Sequence, residues 1–362
     1  MQCADLTISD LGILNSRIND QLNGTRYPLQ GSIEVTERCN NGCVHCYINK
    51  PVNDKYARHA ELNFEEWCTV IDQIVDEGCL WLLMTGGEPF VRPDFLDIYT
   101  YAKRKGLLVT IFTNGTTLNQ RIVDYLAKWV PYEIEITLYG HTREVYEKVT
   151  KQPGSFDRCR RGIELLQQHG LPLALKSMVI KENQHELQAM KNYAEKLGVR
   201  FRYDMQVNMG LDGTHQPIDQ RLAPEQIVQF EQKDSERSKS WHDFKDAYAG
   251  VALDDERLYK CGAGIRLFNI DAYGRLSVCS MQREPGYDLR KGTFRDGWRG
   301  VIQDEIGKKR TVSSECQQCE LAAICNQCPG WSKLEHGDSE TKVDYVCRVT
   351  KMRATALNLW DK

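Results

Sequence analysis

From residue 31 to residue 206, strand-like runs alternate six times with helical patterns, and no other feature of the chain limits its fold as much. The strand candidates are 31–36 (GSIEVT), 80–85 (LWLLMT), 107–112 (LLVTIF), 133–138 (EIEITL), 173–180 (LALKSMVI) and 199–204 (VRFRYD). Helices are expected over about 64–77, 94–105, 119–129, 156–169 and 184–197. The first has Asn63 as N-cap with Glu66 three residues on. Gly78, Gly106, Gly170 and Gly198 each follow a helix, where a left-handed residue ends it. Repeated β–α units imply a parallel sheet with right-handed crossovers. A closed eight-stranded barrel needs about 250 residues, so six strands predict an α/β fold with an open, partial (β/α)6 barrel. Chemistry in such folds gathers at the C-terminal ends of the strands.

The 362 residues suggest two or three domains at roughly 100–200 residues each. We expect an N-terminal extension (1–30), the partial barrel (31–206), a linker with a polar helical stretch (207–260) and a small cysteine-rich C-terminal domain (261–362). Residues 207–222 are rich in Gly, Asp and Pro and read as the linker proper. Lys+Arg 47 against Asp+Glu 50 leaves no basic field for a nucleic-acid backbone. The N-terminus lacks a signal-peptide pattern, and no stretch of about 20 apolar residues would span a membrane. The expectation is a cytoplasmic protein.

Against that background, 14 cysteines are unusual. In a reducing cytosol clustered cysteines bind metal or do redox chemistry more often than they form disulfides. Cys39, Cys43 and Cys46 fall in one loop after the first strand. Three thiolates can each hold one iron of a [4Fe–4S] cube, leaving the fourth iron open to a small molecule. Gly42 is expected to supply backbone freedom for the loop. A zinc site, with His45 as fourth ligand, is the alternative, although His45 is wedged between two of the cysteines. A second field holds Cys261, Cys279, Cys316, Cys319, Cys325, Cys328 and Cys347. Seven thiols exceed one four-ligand site, so two sites are expected, with a zinc ribbon the alternative for four of them. Cys68 and Cys79 fall in apolar patterns and are expected to be buried. Cys3 and Cys159 have no assignment.

Cys-x₃-Cys-x₂-Cys after an early strand, with an aromatic ring just before the last Cys, resembles the radical S-adenosylmethionine (SAM) superfamily. Gly86-Gly87-Glu88-Pro89 after the second strand resembles that family's GGEP motif, which receives the amino group of SAM. Asn114 in Thr113-Asn114-Gly115, Thr137 in Thr137-Leu138-Tyr139-Gly140, Lys148 and Ser177 match further positions near SAM more weakly. For Thr137, Lys148 and Ser177 the plain reading, a polar strand end or a solvated lysine, stands beside the functional one. The second field resembles the SPASM extension, which carries auxiliary clusters. The resemblance implies one cluster on Cys316, Cys319, Cys325 and Cys347 and another on Cys261, Cys279 and Cys328. Two departures touch this partition. Only Asn326 and Gln327 separate Cys325 from Cys328, and no extra cysteine lies between Cys159 and Cys261 to complete the inner set.

The resemblance further implies [4Fe–4S] clusters and SAM as cofactors. It implies reductive cleavage of SAM to a 5′-deoxyadenosyl radical and hydrogen abstraction from a ribosomally made peptide or protein. An external electron donor such as flavodoxin or ferredoxin is implied. With only about 30 residues before the first strand, the expectation is either a separate leader-peptide-binding protein or no leader recognition. A cofactor precursor or other small molecule is the alternative substrate. A non-catalytic electron carrier is the reading from another class, but such carriers close all four ligand positions.

Overall fold

A computed structural model describes Ile18, Gln21, Leu22 and residues 24–48, 50–248, 256–311, 314–317 and 319–359. Cys3 and most of the N-terminal extension lie outside them.

The expected strands and helices are present, with one unexpected helix between the fourth strand and the helix expected at 156–169. In chain order they are β1 (Gln30–Thr36), α1 (Phe64–Asp76), β2 (Trp81–Gly86), α2 (Phe95–Arg104), β3 (Leu108–Thr113), α3 (Gln120–Lys128), β4 (Glu133–Thr137), α4 (Arg143–Thr150), α5 (Ser155–Gln168), β5 (Leu173–Met178), α6 (Leu187–Lys196) and β6 (Arg200–Asp204). Each β1–β6 neighbour pair is parallel, giving the partial barrel. Asn63 Oδ1 accepts from Glu66 N at 2.9 Å and Glu66 Oε2 from Asn63 N at 2.7 Å, so the capping box starts α1 as its sequence demands. Gly106, Gly170 and Gly198 have φ of 89°, 62° and 67° after their helices.

Side chains alternate across the sheet. Ile33, Leu82, Met84, Val109, Ile111, Ile134, Ile136 and Leu175 point to the helices and are fully buried. Trp67, Val70, Ile71 and Ile74 of α1 pack in the same core. At about 1.5–3 kcal/mol for each buried large side chain, this layer carries the fold. The opposite face is mixed: Ser32, Thr110 and Glu135 line a cavity of about 550 Å³ inside the barrel, with Leu83 and Phe112.

Three features differ from expectation. The cysteine-rich region is not set apart from the barrel. Its strand β7 (Leu267–Ile270) pairs in parallel with β1, and β8 (Arg275–Ser277) and β9 (Tyr287–Asp288) extend the sheet antiparallel. The order is β9-β8-β7-β1-β2-β3-β4-β5-β6. The stretch 207–222 is not a free linker: Val207, Met209 and Leu222 are buried, and Arg221 Nε donates to Val207 O at 2.6 Å. Cys68 is half-buried rather than buried, whereas Cys79 and Cys159 are buried. The polar helical stretch forms α7 (Pro224–Lys233) and α8 (Ser235–Tyr248), and two further helices, α9 (Pro329–His336) and α10 (Asp344–Ala356), complete the C-terminal region. Among the described residues no helix is long and apolar enough to cross a membrane.

Candidate active site

The loop carrying Cys39, Cys43 and Cys46 leaves the C-terminal end of β1. Its base is set by Arg38, which donates to both oxygens of Glu61 at 2.8 and 2.9 Å while both side chains are 4% exposed. Its far side is fixed by the end of α4: Gly42 N donates to Thr150 O at 2.8 Å and Val44 N to Val149 O at 3.0 Å. Gly42 itself has no left-handed backbone. A Cβ there would meet Lys151 Cβ at an ordinary 3.7 Å, so the loop does not depend on its freedom.

The glycines that the loop does need are in β2 and just after it. A Cβ on Gly86, whose φ is 143°, would lie 2.0 Å from Thr36 O, and one on Gly87 would lie 2.4 Å from Arg38 O. With those side chains absent, Gly87 N donates to Thr36 O at 2.8 Å and Glu88 N to Arg38 O at 2.9 Å. Gly-Gly thus presses the second strand end directly against the backbone that delivers Cys39. Glu88 is fully buried, accepts from Thr113 Oγ1 at 2.8 and 2.9 Å and from Asn114 N at 2.7 Å, and is pushed up to about 7 by burial. Its carboxylate faces the end of β3, so the exposed polar atoms expected for an ammonium group are not those of its side chain. Pro89 opens a short 3₁₀ turn.

Asn114 reaches the loop. Its Nδ2 donates to Asn40 Oδ1 at 2.9 Å and lies 3.7 Å from Cys39 Sγ. Thr137 ends β4 on the cavity side, the same side as Glu135. Ser177 alternates to the helix-facing side with Leu175, away from the cavity; it is buried, and its Oγ has no partner among the described residues. Lys148 is 61% exposed and pairs with Glu182 at 2.6 Å.

Burial and the mutual repulsion of like charge push the Cys39 thiol up to about 12 and the Cys43 thiol well above its usual range. Such a set becomes thiolate only when cationic metal supplies the countercharge, which is the chemistry iron brings. The donors therefore fit a cluster. Among the described residues no three Cys, His, Asp or Glu side chains converge on a position for one ion; thiolates on a cube instead take separate irons. His45 is half-buried and held neutral, its pKa lowered to about 4 by desolvation of the ring.

In the second field, Cys328 feels the charge of Cys279 and Cys261, and Cys316 feels that of Cys325, Cys347 and Cys319. Backbone N–H groups point at several sulfurs: Gln282 N at Cys279 (3.3 Å), Gln327 N at Cys325 (3.4 Å) and Trp331 N at Cys328 (3.3 Å).

Sequence reasoning missed two features. Tyr139 hydrogen-bonds the Cys43 sulfur and lies 5.6 Å from the His45 ring, centroid to centroid. Arg283 donates to both oxygens of buried Glu34 at 2.7 and 2.8 Å and to Glu37 at 3.0 Å. It ties β1 to the Cys279 loop across more than 240 residues of sequence, and no local pattern could reveal it.

The Radical SAM superfamily profile matches residues 33–194. The chain is 27% identical over 313 residues to the antilisterial bacteriocin subtilosin biosynthesis protein AlbA of Bacillus subtilis (strain 168), covering 83% of this chain and 67% of AlbA. It is 24% identical over 337 residues to the AdoMet-dependent heme synthase of Methanosarcina barkeri (strain Fusaro / DSM 804), covering 84% and 92%. The fold matches that of Streptococcus suis SuiB bound to its precursor peptide SuiA, with a TM-score of 0.69 at 18% identity over 96% of this chain and 83% of that one. Residues 33–194 form a radical SAM domain.

Proposed function

We propose that this enzyme cleaves SAM reductively and modifies a ribosomally made peptide or protein by crosslinking or oxidation. The observation that carries the reading is the three-cysteine loop, backed by Gly86 and Gly87, at the strand end of a barrel whose cavity reaches Cys279. When bound, the cluster supplies one electron that splits the sulfonium C–S bond, giving methionine and a 5′-deoxyadenosyl radical that takes hydrogen from the substrate.

Cys39, Cys43 and Cys46 hold that cluster. The backbone of Gly86, Gly87 and Glu88 meets the amino group of SAM, while Asn114 and Thr137 border it. Lys148 and Ser177 are weaker candidates, since one is paired on the surface and the other faces the helices. Cys316, Cys319, Cys325 and Cys347 hold an outer auxiliary cluster, and Cys261, Cys279 and Cys328 an inner one. A flavodoxin- or ferredoxin-like donor supplies the electron, and a separate protein recognises the leader.

Support for a peptide substrate comes from the names of the relatives, AlbA in subtilosin biosynthesis and SuiB with its precursor peptide. One observation favours a second reading, a cofactor precursor as substrate: the heme synthase is matched over 92% of its length, AlbA over 67%. Anaerobic incubation of the reduced, reconstituted protein with SAM tests the chemistry. 5′-Deoxyadenosine is expected from the wild type and not from Cys43→Ala; product from Cys43→Ala refutes the cluster assignment. About twelve irons per chain are expected for three clusters, and about four would refute the auxiliary pair.

A further inference from the structure

We propose that Lys176, with Arg202 beside it, receives a carboxylate of the substrate inside the barrel. This deepens the radical SAM reading and rests on it for the presence of substrate in this cavity.

Lys176 is the neighbour of Thr137 in the β4–β5 register. Alternation puts it on the cavity side with Glu135, one strand away from Thr137, which we place near SAM. Its side chain is only 17% exposed. The ammonium lies 2.8 Å from the centroid of Phe112, and both Phe112 and Glu135 line the cavity that extends to Cys279.

The charges around it do not balance. Glu133 and Glu135 face Arg200, Arg202 and Lys176, so a protonated Lys176 leaves one surplus positive charge. Glu135 is already satisfied. Arg202 donates to its two oxygens at 2.8 and 2.5 Å, and Arg200 donates to it at 2.8 Å. Lys176 stands 3.6 Å from Glu135, beyond a good hydrogen bond. An ammonium in this setting is held by a ring face and by a carboxylate shared among three cations. Burial accordingly drives its pKa well down.

A purely structural role is hard to reconcile with this arrangement. Two arginines neutralise Glu135 without help, and an apolar side chain would pack on Phe112 without the desolvation cost of an amine. A carboxylate entering the cavity supplies what is missing: a partner for Lys176 and the negative charge that balances the cluster. The chemical class this selects is an acidic side chain, a peptide C-terminus or a propionate-like chain, all sharing the same headgroup.

The test uses an equimolar pool of N-acetylated pentapeptide amides in which Asp and Glu alternate with Asn and Gln at otherwise identical positions. The reconstituted protein with SAM is incubated with the pool, and retained peptides are counted by ultrafiltration and mass spectrometry. The wild type should enrich the acidic members about tenfold over their amide counterparts, the ratio expected for one charge-assisted hydrogen bond. Lys176→Met should bring the ratio close to one. Glu135→Gln, which adds a further net positive charge, should raise it. The opposite signs separate the proposal from a folding defect, which would lower both. A wild-type ratio near one, a ratio unchanged in Lys176→Met, or a ratio lost in Glu135→Gln overturns the proposal. 5′-Deoxyadenosine measured in parallel without peptide reports on the radical SAM reading separately from the peptide ratio.

Discussion

Replacing Gly87 by alanine tests the claim that the second strand end sets the position of the cysteine loop. The added Cβ would sit 2.4 Å from Arg38 O, 2.6 Å from Arg38 C and 2.6 Å from Glu37 O. All three are backbone atoms, so no side chain can swing aside. Overpacking of this kind costs about 1–3 kcal/mol. At about 2.1 cal/mol/K of unfolding entropy per residue, a chain of 362 residues loses roughly 1–4 °C in Tm for that cost. The larger effect should be local, because residues 37–38 must retreat and they lead directly into Cys39. Gly42→Ala is the control. It lies inside the cysteine loop, but its Cβ would meet Lys151 Cβ at 3.7 Å. Melting curves of the unreconstituted proteins and iron content after reconstitution are the assays. Gly87→Ala should melt lower and hold less iron at the Cys39 site, while Gly42→Ala should match the wild type in both. A Gly87→Ala protein that melts and loads normally, or a Gly42→Ala protein that suffers more, would refute the reasoning.

Two other perturbations follow from the same site. Glu88 has a folded pKa of about 7, above its value of about 4.5 in a free chain. The folded state therefore binds more protons between those values, and the contribution of Glu88 to stability is full below pH 4.5 and lost as pH rises through 7. The stability cost of Glu88→Gln, from urea unfolding, should be greater at pH 5 than at pH 8 by about 2–3 kcal/mol; a cost equal at both pH values contradicts the assignment. Tyr139→Phe removes the hydrogen bond to the Cys43 sulfur. A bond worth about 1 kcal/mol corresponds to roughly 40 mV for one electron, so the cluster potential should become more negative by about that much. An EPR-monitored redox titration reads this, and an unshifted potential would show that the hydroxyl does not act on the cluster.

The six barrel strands were legible within one or two residues at most ends, because each is a short apolar or alternating run bounded by turn residues. Helix α4 was not among the expected helices, although Thr142 at its N-cap and Tyr146 and Val149 on its buried face carried a readable signal. Strand β7 was not legible. Leu267-Phe-Asn-Ile is four residues long, and its partner β1 lies more than 230 residues away. The cysteine sets were visible as spacing, but their loop's anchors were not. Arg38 with Glu61 and Arg283 with Glu34 are contacts between ordinary charged residues, and only the fold brings them together.

Those anchors give β1 a part that its sequence does not announce. On one side it pairs with β2, whose Gly86 and Gly87 lie against residues 36–38. On the other it pairs with β7, which leads through β8 to Cys279. From its cavity face Glu34, and just beyond its end Glu37, both take Arg283, four residues past Cys279, and Glu37 also accepts from Tyr273 Oη at 2.8 Å. The loop of Cys39 and the loop of Cys279 are therefore two ends of one hydrogen-bonded frame. A substrate in the cavity would meet a fixed partner where the cavity reaches Cys279, with Lys176 on β5 across the barrel.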